Sequence, residues 1–88
     1  MDKATFLAIL ERIVVGFEDP TFRQRFAQAR EAGDVGQLMA LPAAIQEAAF
    51  SAHGLDAAEG TLAFKAAGRQ FAAEPEALPL LTRMKAAL

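Results

Sequence analysis

The chain has 88 residues, which is enough for one domain with one hydrophobic core. Hydrophobic residues make up 53% of the sequence, too many for a disordered chain, and alanine, the best helix former, is the most frequent residue. With 9 basic and 11 acidic residues the net charge is −2, so the sequence lacks the basic surface expected of a protein that binds nucleic acid or anionic membranes.

Aspartates mark the predicted helix starts. A carboxylate just before a helix can accept hydrogen bonds from the free N–H groups of its first turn. Residues of this kind precede four segments with helical spacing of apolar residues: Asp2, Asp19, Asp34 and Asp56. Gly33 and Gly54 stand where two of these helices should end.

The first predicted helix covers residues 3–17 and has a broad apolar face. At 100° per residue, that face contains Phe6, Leu7, Ile9, Leu10, Ile13, Val14 and Phe17. The far side retains only Ala8, Glu11, Arg12 and Val15. A face this broad predicts two neighbours, either inside the fold or across an oligomer interface.

The middle of the chain predicts three further elements. A helix over residues 20–32 places Phe22, Phe26 and Ala29 on one face. A short element over residues 35–41 should end at Pro42, because proline breaks the hydrogen bonding of a helix interior. The next helix, residues 42–53, is predicted to bury Ile45, Ala48, Ala49 and Ala52, with Phe50 projecting away from that face.

The last two predicted helices complete the fold. In residues 57–72, small residues alternate with phenylalanines on one face: Gly60, Phe64, Ala67, Gly68 and Phe71. The two glycines each cost up to about 1 kcal/mol relative to alanine, which indicates close packing against a neighbour. The final helix, from Pro75 onward, should be kinked or started by Pro79. We therefore predict one all-α domain, residues 1–88, a compact orthogonal bundle of five to six short helices.

Catalytic and metal-binding patterns are weak. Ser51, His53 and Asp56 have the composition of a catalytic triad, but residues two apart on a helix point about 200° away from each other. His53 is the only histidine and has no carboxylate three or four residues away on its helix, so it lacks partners for a metal. Because there is also no cysteine, we predict no catalytic residues, no metal and no cofactor.

Targeting signals are equally weak. No segment approaches the about 20 apolar residues of a membrane-spanning helix. Asp2 stands where a secretory signal would carry positive charge, and Glu11 and Arg12 interrupt the apolar stretch. We expect a cytoplasmic protein that binds neither membranes nor nucleic acid.

Two surface features remain as candidate binding sites. Val15, Phe50 and Leu62 fall off the main apolar faces of their helices, and Lys65 and Arg69 flank Leu62, so these five residues are the predicted partner-binding set. Among the basic residues 23, 25 and 30, Arg23 and Arg30 are candidate anion contacts. The alternative is that these arginines cover the apolar face of their helix with their aliphatic stems.

Two stretches resemble a known group of small helical domains. FEDPTFRQRFAQ, residues 17–28, resembles the turn and helix of LigA-like domains, and AFSAHGLDAAE, residues 49–59, resembles their step from one helix to the next. The group includes small subunits of some extradiol dioxygenases, and similar modules are the recognition parts of bacterial precursor peptides such as Nif11-like leaders. The resemblance implies docking onto a larger enzyme, but the long insertion 33–42 departs from the pattern.

Three functions follow as hypotheses. The first is a non-enzymatic interaction module that binds a protein partner or self-associates as a homo-oligomer through apolar helix faces. The second is an accessory small subunit or leader-like domain of a biosynthetic or oxygenase enzyme. The third is a carrier of a small hydrophobic ligand, with a cavity lined by some of the 7 phenylalanines.

Overall fold

A computed structural model describes residues 1–88 as five helices without a strand. The helices are α1 (Lys3–Glu18), α2 (Pro20–Ala32), α3 (Val35–Ala52), α4 (Ala57–Phe71) and α5 (Ala77–Ala87). The chain is therefore all-α, as the sequence predicts, and its radius of gyration of 13.2 Å is close to the about 12 Å expected for a folded chain of this length.

The aspartate caps lie where the sequence predicts them. Each carboxylate accepts a hydrogen bond from the backbone N–H three residues later, at distances of 2.7–3.2 Å; the donors are Thr5, Phe22, Gln37 and Glu59. Gly33 and Gly54 have φ angles of +64° and +75° after α2 and α3, a conformation that favours glycine. Local sequence thus determines where four of the five helices begin.

Helix α3 corrects one prediction. The chain does not break at Pro42: a single helix continues from Val35 to Ala52 with this proline inside it. Leu41 and Ile45, on either side of Pro42, both pack against the same core cluster. Packing on both sides of the proline therefore compensates for the backbone hydrogen bond that is lost because proline has no N–H.

Helix α1 is the centre of the fold and contacts each of the other four helices. Its apolar face is almost completely buried, with exposures of 0–1% for Phe6, Ile9, Leu10, Ile13, Val14 and Phe17. The Phe6 ring lies 5.1 Å from the Phe64 ring of α4, and the Phe17 ring stacks at 5.2 Å on the Phe22 ring of α2. The broad face is therefore buried within one chain and needs no oligomer to cover it.

Phe50 is the second correction. Its side chain is only 2% exposed, and its ring lies 5.8 Å from the Phe64 ring. Opposite it stands Gly60, where an added Cβ would lie 2.6 Å from Phe50 Cδ2 and 2.7 Å from Phe50 Cβ. The prediction of close packing is confirmed at Gly60 but not at Gly68, where the nearest atom to an added Cβ would be Phe6 Cε1 at 4.0 Å. Phe50 fills the space that this glycine leaves, and it is a core residue rather than a surface one.

Ion pairs attach α5 to α1 at both ends. Arg83 donates two hydrogen bonds to Glu18, of 2.5 and 3.1 Å, and Lys3 Nζ lies 2.7 Å from Glu76 Oε2. The hydrogen bond from Arg83 lowers the pKa of Glu18, and the one from Lys3 lowers the pKa of Glu76. Because both pairs are exposed to solvent, they orient α5 more than they stabilise the fold.

Candidate interaction surface

An open groove runs between α1 and α3. It has a volume of about 620 Å³ and is lined by Ala8, Glu11, Arg12, Val15, Gly16, Ile45, Ala48 and Ala49. A second hollow of about 470 Å³ shares three of these residues and extends the groove towards the start of α2. The surface of α1 that the other helices leave uncovered is thus one wall of a continuous depression.

Gly16 brings the two walls together. A Cβ at this position would lie 2.6 Å from Ile45 Cγ2, so an added methyl group would force the Ile45 side chain or the two helices to move. Ala8 lines the groove together with Ala48 near the end of α3, whereas Val15, later in α1, lines the second hollow together with Leu41, earlier in α3. The two helices therefore run antiparallel, with the groove along their shared edge.

The groove has a small apolar floor and a charged edge. Ala8 and Ala48 offer only methyl groups, whereas Val15 presents a larger side chain that is 55% exposed. Glu11 and Arg12 are exposed and form no ion pair within the chain. This arrangement fits an apolar helix that carries charges of both signs at its margins.

The α4 candidates lie on a separate surface. Leu62 is 72% exposed, and Lys65 and Arg69 are exposed beside it on the same helix, as the sequence predicts. No residue of α4 lines the groove, so this set does not join Val15 in one site. Phe50, the remaining member of the predicted set, is buried, so its predicted place on the surface is wrong.

Arg23 and Arg30 line one hollow between α2 and α5, but Arg30 already has partners in the chain. Its guanidinium donates a 2.6 Å hydrogen bond to the backbone oxygen of Leu88 and lies 5.1 Å from the centre of the Phe26 ring. The Arg30 guanidinium therefore covers part of the Phe26 ring, and the assignment of Arg23 and Arg30 as anion contacts stays a prediction.

One of the triad-like residues has a structural role. The Asp56 carboxylate accepts the Glu59 N–H at 2.7 Å, so it acts as a helix cap. His53 follows the last residue of α3 as its C-cap, and its buried Nε2 has no hydrogen-bond partner. No group of three or more histidine, cysteine, aspartate or glutamate side chains is arranged to hold a metal ion.

Some surface residues were missed by the sequence reasoning. Val35, Met39 and Leu78 are 51–70% exposed, although other large apolar residues of the same helices, such as Phe50 and Leu81, are buried or half-buried. Ala48 was assigned to the core but is exposed along the groove. For α1, however, the far-side residues Ala8, Glu11, Arg12 and Val15 are the ones that line the groove, so the helical periodicity did identify that wall.

The chain matches no family model, no curated protein and no solved structure. None of its helices combines the length and the apolar character needed to cross a membrane.

Proposed function

We propose that this protein is a non-enzymatic helical interaction module that binds a protein partner, or another copy of itself, in the groove between α1 and α3. The observation that carries the proposal is the groove itself. On α1 the large apolar residues of the inner face are buried except for Leu7, which is half-buried, yet Val15 is left 55% exposed beside a floor of alanines. An exposed apolar side chain beside a concave apolar floor is typical of a binding surface.

The shape of the groove favours a helical partner. Ala8, Ala48 and Ala49 let a third helix approach the backbones of α1 and α3 closely, in the manner of helix-in-groove recognition. The 620 Å³ part of the groove has no phenylalanine in its lining, and only Phe22 lines its extension towards α2. The phenylalanines of the core pack on one another. These contacts support a binding surface for a protein rather than a cavity for a small ligand.

The absence of enzymatic activity is part of the proposal. The carboxylates with lowered pKa values, Asp2, Glu18 and Glu76, accept hydrogen bonds at a helix cap or in exposed ion pairs. None of them lines the α1–α3 groove. A general acid or base needs to face a place where substrate binds, so this separation supports a binding role.

Photo-crosslinking would test the proposal. A benzophenone amino acid at position 15 should crosslink one dominant protein in the cells that produce this chain, and Ala48→Asp in the groove floor should abolish that product. The matched control is the same probe at position 39, because Met39 is 70% exposed but lies outside the groove. Equal, diffuse crosslinking from both positions would refute the groove as an interaction site.

An accessory role beside an enzyme is the second candidate. The two stretches that resemble LigA-like domains contain capped turns of the expected kind, at Asp19 before α2 and at Asp56 before α4. If this candidate is correct, the gene should lie next to the gene of its enzyme, and the product crosslinked at position 15 should be that enzyme. A solitary gene would count against it.

A further inference from the structure

We propose that the groove is occupied by α1 of a second copy of this chain, with the two α1 helices running parallel about a two-fold axis. This inference rests on the proposed function, since it names the partner that the groove binds. It comes from the arrangement of four residues on the uncovered face of α1: Ala8, Glu11, Arg12 and Val15.

These four residues form a self-complementary pattern. Ala8 and Val15 are seven residues apart and therefore lie almost on one line along the helix. Glu11 and Arg12 lie between them, each about 50° from that line but on opposite sides, because successive helix residues are about 100° apart. The face thus has an apolar centre, an acidic margin and a basic margin at nearly the same height.

Symmetry decides how two such faces pair. A two-fold axis parallel to the helices places the acidic margin of one copy against the basic margin of the other. The dimer then contains two equivalent contacts, each between Glu11 of one copy and Arg12 of the other. An axis perpendicular to the helices instead places equivalent margins together, so Glu11 meets another glutamate. Charge complementarity therefore favours the parallel arrangement and disfavours the antiparallel one.

The two charges are available for such a contact. Neither Glu11 nor Arg12 has an ion-pair partner within the chain. The nearby Arg83 is held by Glu18, and Glu11 adds only a weaker attraction to it. By contrast, the charged residues that attach α5 to α1 are already paired.

The position of α3 suits the same geometry. Gly16 contacts Ile45 of α3 and lies on the Arg12 side of α1, since residues four apart share a helix face, so α3 flanks the basic margin. In the parallel arrangement, the α1 of the second copy therefore enters the groove between that margin and α3. There it meets Ala48 and Ala44, whose small side chains leave room for a helix. The two-fold axis repeats this contact in the other direction, so each α1 lies in the groove of the other chain.

Charge exchange tests the pairing. Sedimentation of the purified chain should show a dimer when the protein concentration is raised to about 1 mM, where even a weak association is populated. Glu11→Arg alone and Arg12→Glu alone should each be monomeric, because each places like charges together. An equimolar mixture of the two variants should form a heterodimer, and the double variant should dimerise like the original chain. Glu31→Arg, an exposed change outside the groove, is the matched control and should dimerise normally.

Cysteine crosslinking tests the direction. Because the chain contains no cysteine, Val15→Cys introduces a single thiol. In the parallel arrangement the two cysteines at position 15 lie opposite each other, so mild oxidation should give a disulfide-linked dimer, whereas Leu62→Cys on the outer face of α4 should not.

Other outcomes separate this inference from the proposed function. A wild-type chain that stays monomeric throughout, or a Val15→Cys chain that crosslinks only with Ala8→Cys, would overturn the parallel self-pairing. If the crosslinked product at position 15 were a different protein, the self-pairing would also be wrong, but the groove would still be an interaction site.

Discussion

The contact between Gly60 and Phe50 gives the sharpest test of the core. An alanine at position 60 would place its Cβ 2.7 Å from Phe50 Cβ, well inside the about 3.5–4.0 Å of normal contact. Rotation of the Phe50 ring cannot relieve this contact, because the Phe50 Cβ is fixed to the α3 backbone. Helices α3 and α4 must therefore separate to accept the methyl group.

Gly68 in the same helix supplies the matched control, because an added Cβ there would find its nearest atom, Phe6 Cε1, at 4.0 Å. Each Gly→Ala change improves helix propensity by about 1 kcal/mol, and only Gly60→Ala adds an overpacking penalty of about 1–3 kcal/mol. The two variants should therefore differ in unfolding free energy by about 1–3 kcal/mol, with Gly68→Ala the more stable.

Urea unfolding followed by far-UV circular dichroism measures this difference, since the chain has no tryptophan or tyrosine for fluorescence. For a domain of this size, 1 kcal/mol corresponds to about 4–8 °C in melting temperature, so thermal unfolding gives an independent reading. If Gly60→Ala stabilised the protein as much as Gly68→Ala does, the close approach of α3 and α4 would be wrong.

Three further predictions concern stability. Phe50→Ala should lower the unfolding free energy by about 3–5 kcal/mol, and Phe50→Asp should unfold the chain in circular dichroism, because the side chain is buried. The Arg83 hydrogen bond lowers the pKa of Glu18 below its ordinary value of 4.5. That pair's contribution to stability is therefore complete above about pH 4.5 and is lost as pH falls through the pKa of the folded state. In acid titrations of stability, Glu18→Gln should reduce this loss, and Glu47→Gln, at a residue without an ion pair, should not. His53→Phe should raise the denaturation midpoint by the equivalent of about 1 kcal/mol, because it removes a buried nitrogen without a hydrogen-bond partner; a lower midpoint would contradict this reading.

Local signals in the sequence are sufficient to predict where helices start. The wrong predictions concern features of α3 that depend on packing between residues far apart in the sequence. The aspartate caps act within three residues of themselves, so the sequence is sufficient to place them. The face of α3 was misassigned because its pattern rested on alanines, which are found both in cores and on surfaces. Ala48 and Ala52 are exposed, whereas Phe50 is buried.

Gly60 carried a signal that could have corrected this error. The sequence predicted a close neighbour for that glycine, and a close neighbour must be a side chain large enough to fill the gap. Phe50 is the large residue of the preceding helix that meets this requirement. The continuation of α3 through Pro42 had no comparable signal, because it depends on core contacts of Leu41 and Ile45 that only the folded chain makes.

The burial of most large side chains also limits the apolar area of the proposed interface. Helix α1 places its phenylalanines, isoleucines and leucines inside, so Val15 is the one large apolar side chain that it offers to the groove. A dimer built on this face has little apolar area and two exposed Glu11–Arg12 contacts, each worth at most about 1 kcal/mol. Its dissociation constant should therefore rise when salt is increased to about 1 M, where the Debye length falls to about 3 Å. If sedimentation showed a tight dimer that salt did not weaken, the pairing would depend on an apolar surface other than this face of α1.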